Sequence, residues 1–187
     1  ELRGKKILTE SGIPEDAKFV CLNVRDSAYL DRHTKTTIRN WKYHNFRDGD
    51  IDNFVFAAEE LARRGYYVFR MGVKVLKPLK SSNLKLIDYA NSEMRSAFMD
   101  IYLGAKCSFC ISTGAGFDAM PAVFRRPIIY LKSPFGRIIM FNENNLMIVK
   151  HFTYKKNKKK LTISEIFSSN IAMSEDSKEL ELNEIEL

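Results

Sequence analysis

Thr113-Gly114-Ala115-Gly116 follows the apolar run Cys107–Ser112 and precedes a helix-compatible stretch, Phe117–Phe124. In a strand, glycine turn and helix of this kind, backbone N–H groups at the helix start can close on an anion with no Cβ in the way. The helix dipole adds attraction for a phosphate. A nucleotide or nucleotide-sugar is therefore the first ligand the turn brings to mind. Arg25 stands just past another apolar run, Phe19–Val24. A guanidinium there either grips a diphosphate through two parallel hydrogen bonds or pairs with Asp26 or a neighbouring acid. His44 and Arg47 lie in a long polar stretch, Ser27–Gly49. His44 suits a general base or a solvated imidazole, and Arg47 is available for phosphate or sugar.

Other readings of these residues are weaker. Gly114-Ala115-Gly116-Phe117-Asp118-Ala119 matches the GxGxxA dinucleotide pattern, but it comes late in the chain. The region after Leu131 reads Lys132-Ser133-Pro134-Phe135, without the carboxylate that would bind a ribose. No Gly-Lys-Ser/Thr of a Walker loop is present. A turn that binds nothing is the plain alternative. The carboxylates Asp48, Asp50 and Asp52 precede a helix. Counting a calcium loop from Asp48 puts Asn53 where glycine is required, so helix capping explains them better. Cys107 and Cys110 form a CxxC, yet no second ligand pair follows and the motif fills a strand rather than opening a helix. With Cys21 they read as buried small hydrophobes in a reducing, cytoplasmic setting. His33 and His151 have no spaced partners for zinc, and no metal site is expected.

The elements that must hold these groups follow from periodicity. Phe19–Val24 is a buried strand. Ile51, Phe54, Val55, Ala58, Leu61 and Ala62 recur at helical spacing from Asp50 to a Gly65 cap. Tyr67–Met71 is a second strand and Leu84–Tyr89 contains a short third. A helix over Glu93–Gly104 leads into the strand, turn and helix above, and Pro127–Leu131 and Leu146–Val149 supply further strands. This alternation predicts a Rossmann-like α/β domain: a mostly parallel sheet with helices on both faces. The expected organisation is a lead-in over residues 1–17, the Rossmann-like domain over 18–152, and an appendage over 153–187. The appendage comprises a basic segment, a short helix over Leu161–Phe167 and a flexible acidic tail from Ser174.

The 187 residues, 45% hydrophobic and 12% aromatic, suit one folded domain, and no apolar run approaches the roughly 20 residues that cross a bilayer. The chain begins at Glu1, which reads as a piece of a longer protein. Its net charge of +7 is uneven, because Lys155, Lys156, Lys158, Lys159 and Lys160 crowd one segment while the last fourteen residues are mainly acidic. The lysine cluster reads as a solvated loop that also suits peripheral contact with anionic headgroups. It lacks the interleaved aromatics that single-stranded nucleic acid needs, so nucleic acid is not an expected partner.

Four segments carry a resemblance: Asn23–Tyr29, Tyr43–Phe54, Gly65–Gly72, and the glycine turn with Pro127 after it. Together they resemble a family of bacterial glycosyltransferases for surface polysaccharides, over about Phe19–Leu131. The resemblance implies the nucleotide-sugar-binding half of a GT-B enzyme, in which two Rossmann-like domains face each other across a cleft. It implies that Arg25 and Arg47 neutralise the leaving phosphate, that Thr113, Gly114, Ala115 and Gly116 bind it, and that Asp118 contacts ribose. It also implies a nucleotide-sugar donor as substrate with no separate cofactor or metal, a glycan or lipid-linked acceptor, and an acceptor-binding domain beyond these residues. The implied setting is the cytoplasm, peripheral to the inner membrane. A non-catalytic nucleotide-binding module on the same fold is the alternative.

Overall fold

The computed structural model of the chain describes residues 1–29, 48–133, 142–169, 171–174 and 177–187. Six strands among them form one sheet: β1 (Phe19–Asn23), β2 (Tyr67–Arg70), β3 (Leu86–Ile87), β4 (Phe109–Ser112), β5 (Ile128–Ser133) and β6 (Leu146–Val149). Their order is β3-β2-β1-β4-β5-β6, and every neighbouring pair is parallel. The expected α/β, Rossmann-like fold is thus what the chain adopts, with no antiparallel strand in this sheet. Parallel neighbours cannot be joined by a tight turn, and among the described residues helical segments precede β2, β4 and β5. The path reverses direction between β1 and β4. There the segments leaving the two carboxyl ends part to opposite sides and open a crevice.

Alternate side chains of the strands build two cores. On one face Phe19, Cys21, Phe69, Cys110, Ile128 and Tyr130 pack against helices α1 (Leu2–Glu10) and α3 (Ala97–Lys106), represented by Leu8, Met99 and Leu103. On the other face Val20, Leu22, Val68 and Ile111 meet Ile51, Phe54 and Ala58. These last belong to a 3-10 turn, Ile51–Phe54, that continues as α2 (Val55–Arg63). Capping explains where two of the helical segments begin. The Asp50 carboxylate accepts the Asp52 N–H, and Ser96 Oγ accepts the Met99 N–H, so that α3 starts at Ala97, four residues later than the predicted start at Glu93. β1 is buried at all five positions, as a strand covered on both faces must be.

The three thiols are free and buried. Burial pushes Cys21 and Cys110 well above the usual thiol pKa, while a hydrogen bond with Cys21 lowers that of Cys107.

Residues 1–17, expected only as a lead-in, contribute α1. Its Gly4 lies against the Tyr102 ring of α3 so closely that a Cβ would stand 2.3 Å from Cε2 and 2.6 Å from Cγ. Gly4→Ala is therefore expected to lower stability by about 1–3 kcal/mol in urea denaturation, despite alanine's better helix propensity. A variant as stable as the parent would mean that α1 does not dock on Tyr102.

Ser174–Leu187, expected to be a flexible tail, instead folds. It carries α6 (Ser177–Leu182) and β8 (Ile185–Glu186), and β8 pairs antiparallel with β7 (Thr153–Tyr154). Leu180 and Ile185 join Phe152, Leu161, Ile166 and Ile171 in a small separate core, with Ile166 supplied by α5 (Ile163–Ser168). Acidic composition concealed two apolar anchors.

Candidate functional site

The carboxyl ends of β1 and β4 are stitched together by polar side chains. Asn23 Nδ2 donates to Ser112 Oγ at 3.3 Å and to Asp118 Oδ1 at 3.1 Å. The Arg25 N–H donates to Thr113 Oγ1 at 2.9 Å, and the Thr113 N–H donates to the Asn23 carbonyl at 3.1 Å. Asn23, Ser112 and Thr113 are buried, and buried polar groups need such partners once the strand ladder ends. The signal for Asn23 and Ser112 was present but unread: each is a polar residue closing an apolar strand.

The glycine turn departs in detail from its expected role. Gly114 adopts a φ of +85°, where glycine is favoured, and its N–H donates to Ser112 Oγ at 3.0 Å. The Ala115 N–H donates to Asp118 Oδ2 at 2.9 Å. Both amides are therefore engaged within the turn. Thr113 is buried and serves as a brace between strands. Asp118, expected to reach a ribose, is buried with its carboxylate holding Asn23 and Ala115. The donors left by position at the start of the following helical segment are those of Gly116 and Phe117, which lack an intrahelical acceptor. A Cβ at Gly116 would meet nothing within 4 Å, so this residue borders open space. The predicted helix over Phe117–Phe124 is a 3-10 turn, Gly116–Asp118, running into α4 (Ala119–Val123).

That open space is a cavity of about 340 Å³ at the crevice. Arg25, beyond β1, and Ala115, Gly116 and Phe117, beyond β4, line it together. Gly72 to Val75, beyond β2, and Asp100 of α3 also line it. Its volume falls at the lower end of the roughly 300–1,000 Å³ usual for small-molecule sites.

A charged network frames the cavity. Arg25 pairs with Asp48, not with the adjacent Asp26. Asp26 instead accepts the N–H groups of Ala28 and Leu76, each at 3.0 Å, and faces Arg70 Nη2 at 3.7 Å. Arg70 is only 1% exposed and also donates to Asp88 Oδ1 and the Lys77 carbonyl. Lys77 bridges Asp50 and Asp52 at 2.7 and 2.8 Å, which accounts for the carboxylate run ahead of α2. Among the described residues, no three His, Cys, Asp or Glu side chains converge as a metal site would. His44 and Arg47 lie outside the described residues.

Far from the crevice, the lysine segment and the acidic tail, read as separate features, meet. Lys158 pairs with Glu186 and Lys159 with Glu165, while Lys155, Lys156 and Lys160 are exposed. Among the described residues, no helix is long and apolar enough to cross a membrane.

No protein-family model matches the chain, and no curated protein does. Two solved structures are similar to it. One is a glycosyl transferase family 9 protein from Veillonella parvula, 12% identical, with a TM-score of 0.45 over 80% of this chain and 39% of that one. The other is the Escherichia coli heptosyltransferase WaaC with ADP-2-deoxy-2-fluoro heptose, 15% identical, with a TM-score of 0.44 over 96% of this chain and 47% of that one. The chain spans less than half the length of either.

Proposed function

We propose that this chain is the donor-binding half of a glycosyltransferase, taking a nucleoside-diphosphate sugar and passing its sugar to a glycan or lipid-linked acceptor of surface-polysaccharide synthesis. One observation carries the reading. A guanidinium and the start of a glycine-led helical segment line a single cavity at the point where the parallel sheet reverses direction. Open α/β sheets take their ligands in this crevice, and an arginine with backbone N–H groups matches the charge and shape of a diphosphate. The family resemblance of the sequence supports the same reading.

In the proposed reaction an acceptor hydroxyl oxygen attacks the anomeric carbon. The bond from that carbon to the β-phosphate oxygen breaks, and the nucleoside diphosphate departs with both bonding electrons. Arg25, Arg47 and the Gly116 and Phe117 amides stabilise the charge that grows on the leaving group. His44 takes the hydroxyl proton. Because these groups supply the positive charge, transfer is expected to persist in EDTA. The acceptor side comes from a further domain, and the reaction takes place on the cytoplasmic side of the inner membrane, with Lys155, Lys156 and Lys160 as the chain's contact to anionic headgroups.

The test is a calorimetric screen against UDP, GDP, ADP and CMP. One nucleotide is expected to bind at micromolar concentration, and its sugar donor to be hydrolysed slowly by this chain or transferred by a longer one. Binding without hydrolysis or transfer, even in the longer chain, would leave the non-catalytic nucleotide module as the answer. No binding to any of the four would overturn both.

A further inference from the structure

Nucleotide-binding α/β folds often place an acid at the end of the second strand to hold the ribose. Here β2 runs out through Arg70-Met71-Gly72-Val73, which contains none. Among the described residues, two carboxylates line the cavity, Asp26 and Asp100. Asp26 is consumed by two backbone N–H groups and Arg70. Asp100 is differently placed. It sits in the first turn of α3, where a negative charge is favoured by the helix dipole. Its Oδ1 accepts one hydrogen bond, from the Tyr89 hydroxyl at 2.7 Å, and Arg95 Nη2 stands 3.6 Å from Oδ2. An ionised carboxylate has about four lone-pair sites, so Asp100 keeps acceptor capacity toward the cavity.

The surroundings hold this carboxylate in place. Tyr89 is fully buried, and burial followed by Asp100 itself raises its pKa, so its phenol stays a donor. Arg95 also donates to the Gly72 carbonyl at 3.3 Å, tying the start of α3 to the end of β2. Gly72 itself has a φ of +148°, and a Cβ there would stand 2.7 Å from Val75 Cγ1. With Val73, Val75 and Phe117, the cavity joins apolar walls to the Asp100 carboxylate.

We infer that Asp100 recognises the nucleoside, accepting hydrogen bonds from a pair of adjacent donors on it: the ribose 2′,3′-diol or the N1–H and N2–H edge of guanine. The inference rests on the reading of the cavity as a nucleotide site. Asp100 is a binding residue, and Tyr89 and Arg95 position it.

The experiment is calorimetry of the chain and of Asp100→Asn with the tightest of UDP, GDP, ADP and CMP, then with that nucleotide's 2′-deoxy form and, for GDP, with IDP. Asp100→Asn is expected to weaken the parent nucleotide at least tenfold, consistent with loss of a charge-assisted hydrogen bond. One ligand change should cost the wild-type chain a similar factor and cost Asp100→Asn much less. Coupling to the 2′-deoxy form assigns the diol, and coupling to IDP assigns the guanine edge. Equal binding by Asp100→Asn, or a loss coupled to neither ligand change, overturns the inference while the nucleotide site stands. Failure of the wild-type chain to bind any nucleotide overturns the underlying reading instead. Should Asp100→Asn not fold, the wild-type amide spectrum decides. Saturating nucleotide is expected to shift the Asp100 and Ile101 resonances, with the shift reduced for the 2′-deoxy form or IDP, and unmoved resonances refute the assignment.

Discussion

Arg25→Ala is expected to weaken nucleoside diphosphate binding by at least about a hundredfold, with the protein still folded. Two parallel charge-assisted hydrogen bonds are lost at once, each worth about 1.5–3 kcal/mol, and every 1.4 kcal/mol is about tenfold in affinity. The structural cost is smaller. The Arg25 side chain is 9% exposed and its partner Asp48 is 24% exposed, so the carboxylate left behind retains water. That loss should be about 1–3 kcal/mol, below the Arg70 case, because one carboxylate rather than two loses its cation. Arg25→Lys separates charge from shape. An ammonium keeps the attraction but cannot form the planar fork, so it should recover only part of the affinity. Calorimetry beside a thermal melt reads both quantities. Unchanged affinity in Arg25→Ala would remove the guanidinium from the site.

Arg70→Met is expected to have the largest effect on stability, a loss of about 3–5 kcal/mol. Removing the cation leaves Asp26 and Asp88, 11% and 20% exposed, as uncompensated carboxylates, and breaking a buried pair from one side costs in this range. For a chain of this size that corresponds to a melting point lower by about 6–20 °C. Burial lowers the Arg70 pKa from its ordinary value, with Asp88 and Asp26 acting against the shift, but a guanidinium remains charged throughout the working range. The double variant Arg70→Met, Asp88→Asn removes one stranded charge with its partner. It should recover part of the loss, a coupling that a double-mutant cycle measures. A melting point within 2 °C of the parent would show that Arg70 does not hold this corner together. The same arginine fixes Asp26, which in turn holds the Leu76 N–H and so the segment bordering the cavity. Nucleotide affinity should therefore fall with stability in Arg70→Met, whereas in Arg25→Ala affinity falls more than stability.

Periodicity and composition were sufficient for the parallel α/β sheet. Strand positions depend on local runs such as Phe19–Asn23 and Tyr67–Arg70, which are mainly apolar because both faces are covered, with a polar residue only at the carboxyl end. The glycine turn between a strand and a helical segment was also legible, because Gly114 and Gly116 interrupt the runs on either side of it. Two kinds of information lay beyond the sequence. Pairing partners are the first: Arg25 could be matched with Asp26 or with any nearby acid, and only the folded chain brings Asp48 to it, 23 residues away, while Asp26 turns to Arg70. Which amides remain available to a ligand is the second. Ser112 and Asp118 take the Gly114 and Ala115 N–H groups and leave the donors one step further along. The acidic tail misled for a related reason, since Leu180 and Ile185 acquire their value only when Phe152 and Leu161 arrive beside them. Local pattern determines which elements form, because each element's period is written in its own residues. Tertiary packing decides which charges meet and which hydrogen-bond donors are used up, because those depend on groups that are distant along the chain and adjacent only once it has folded.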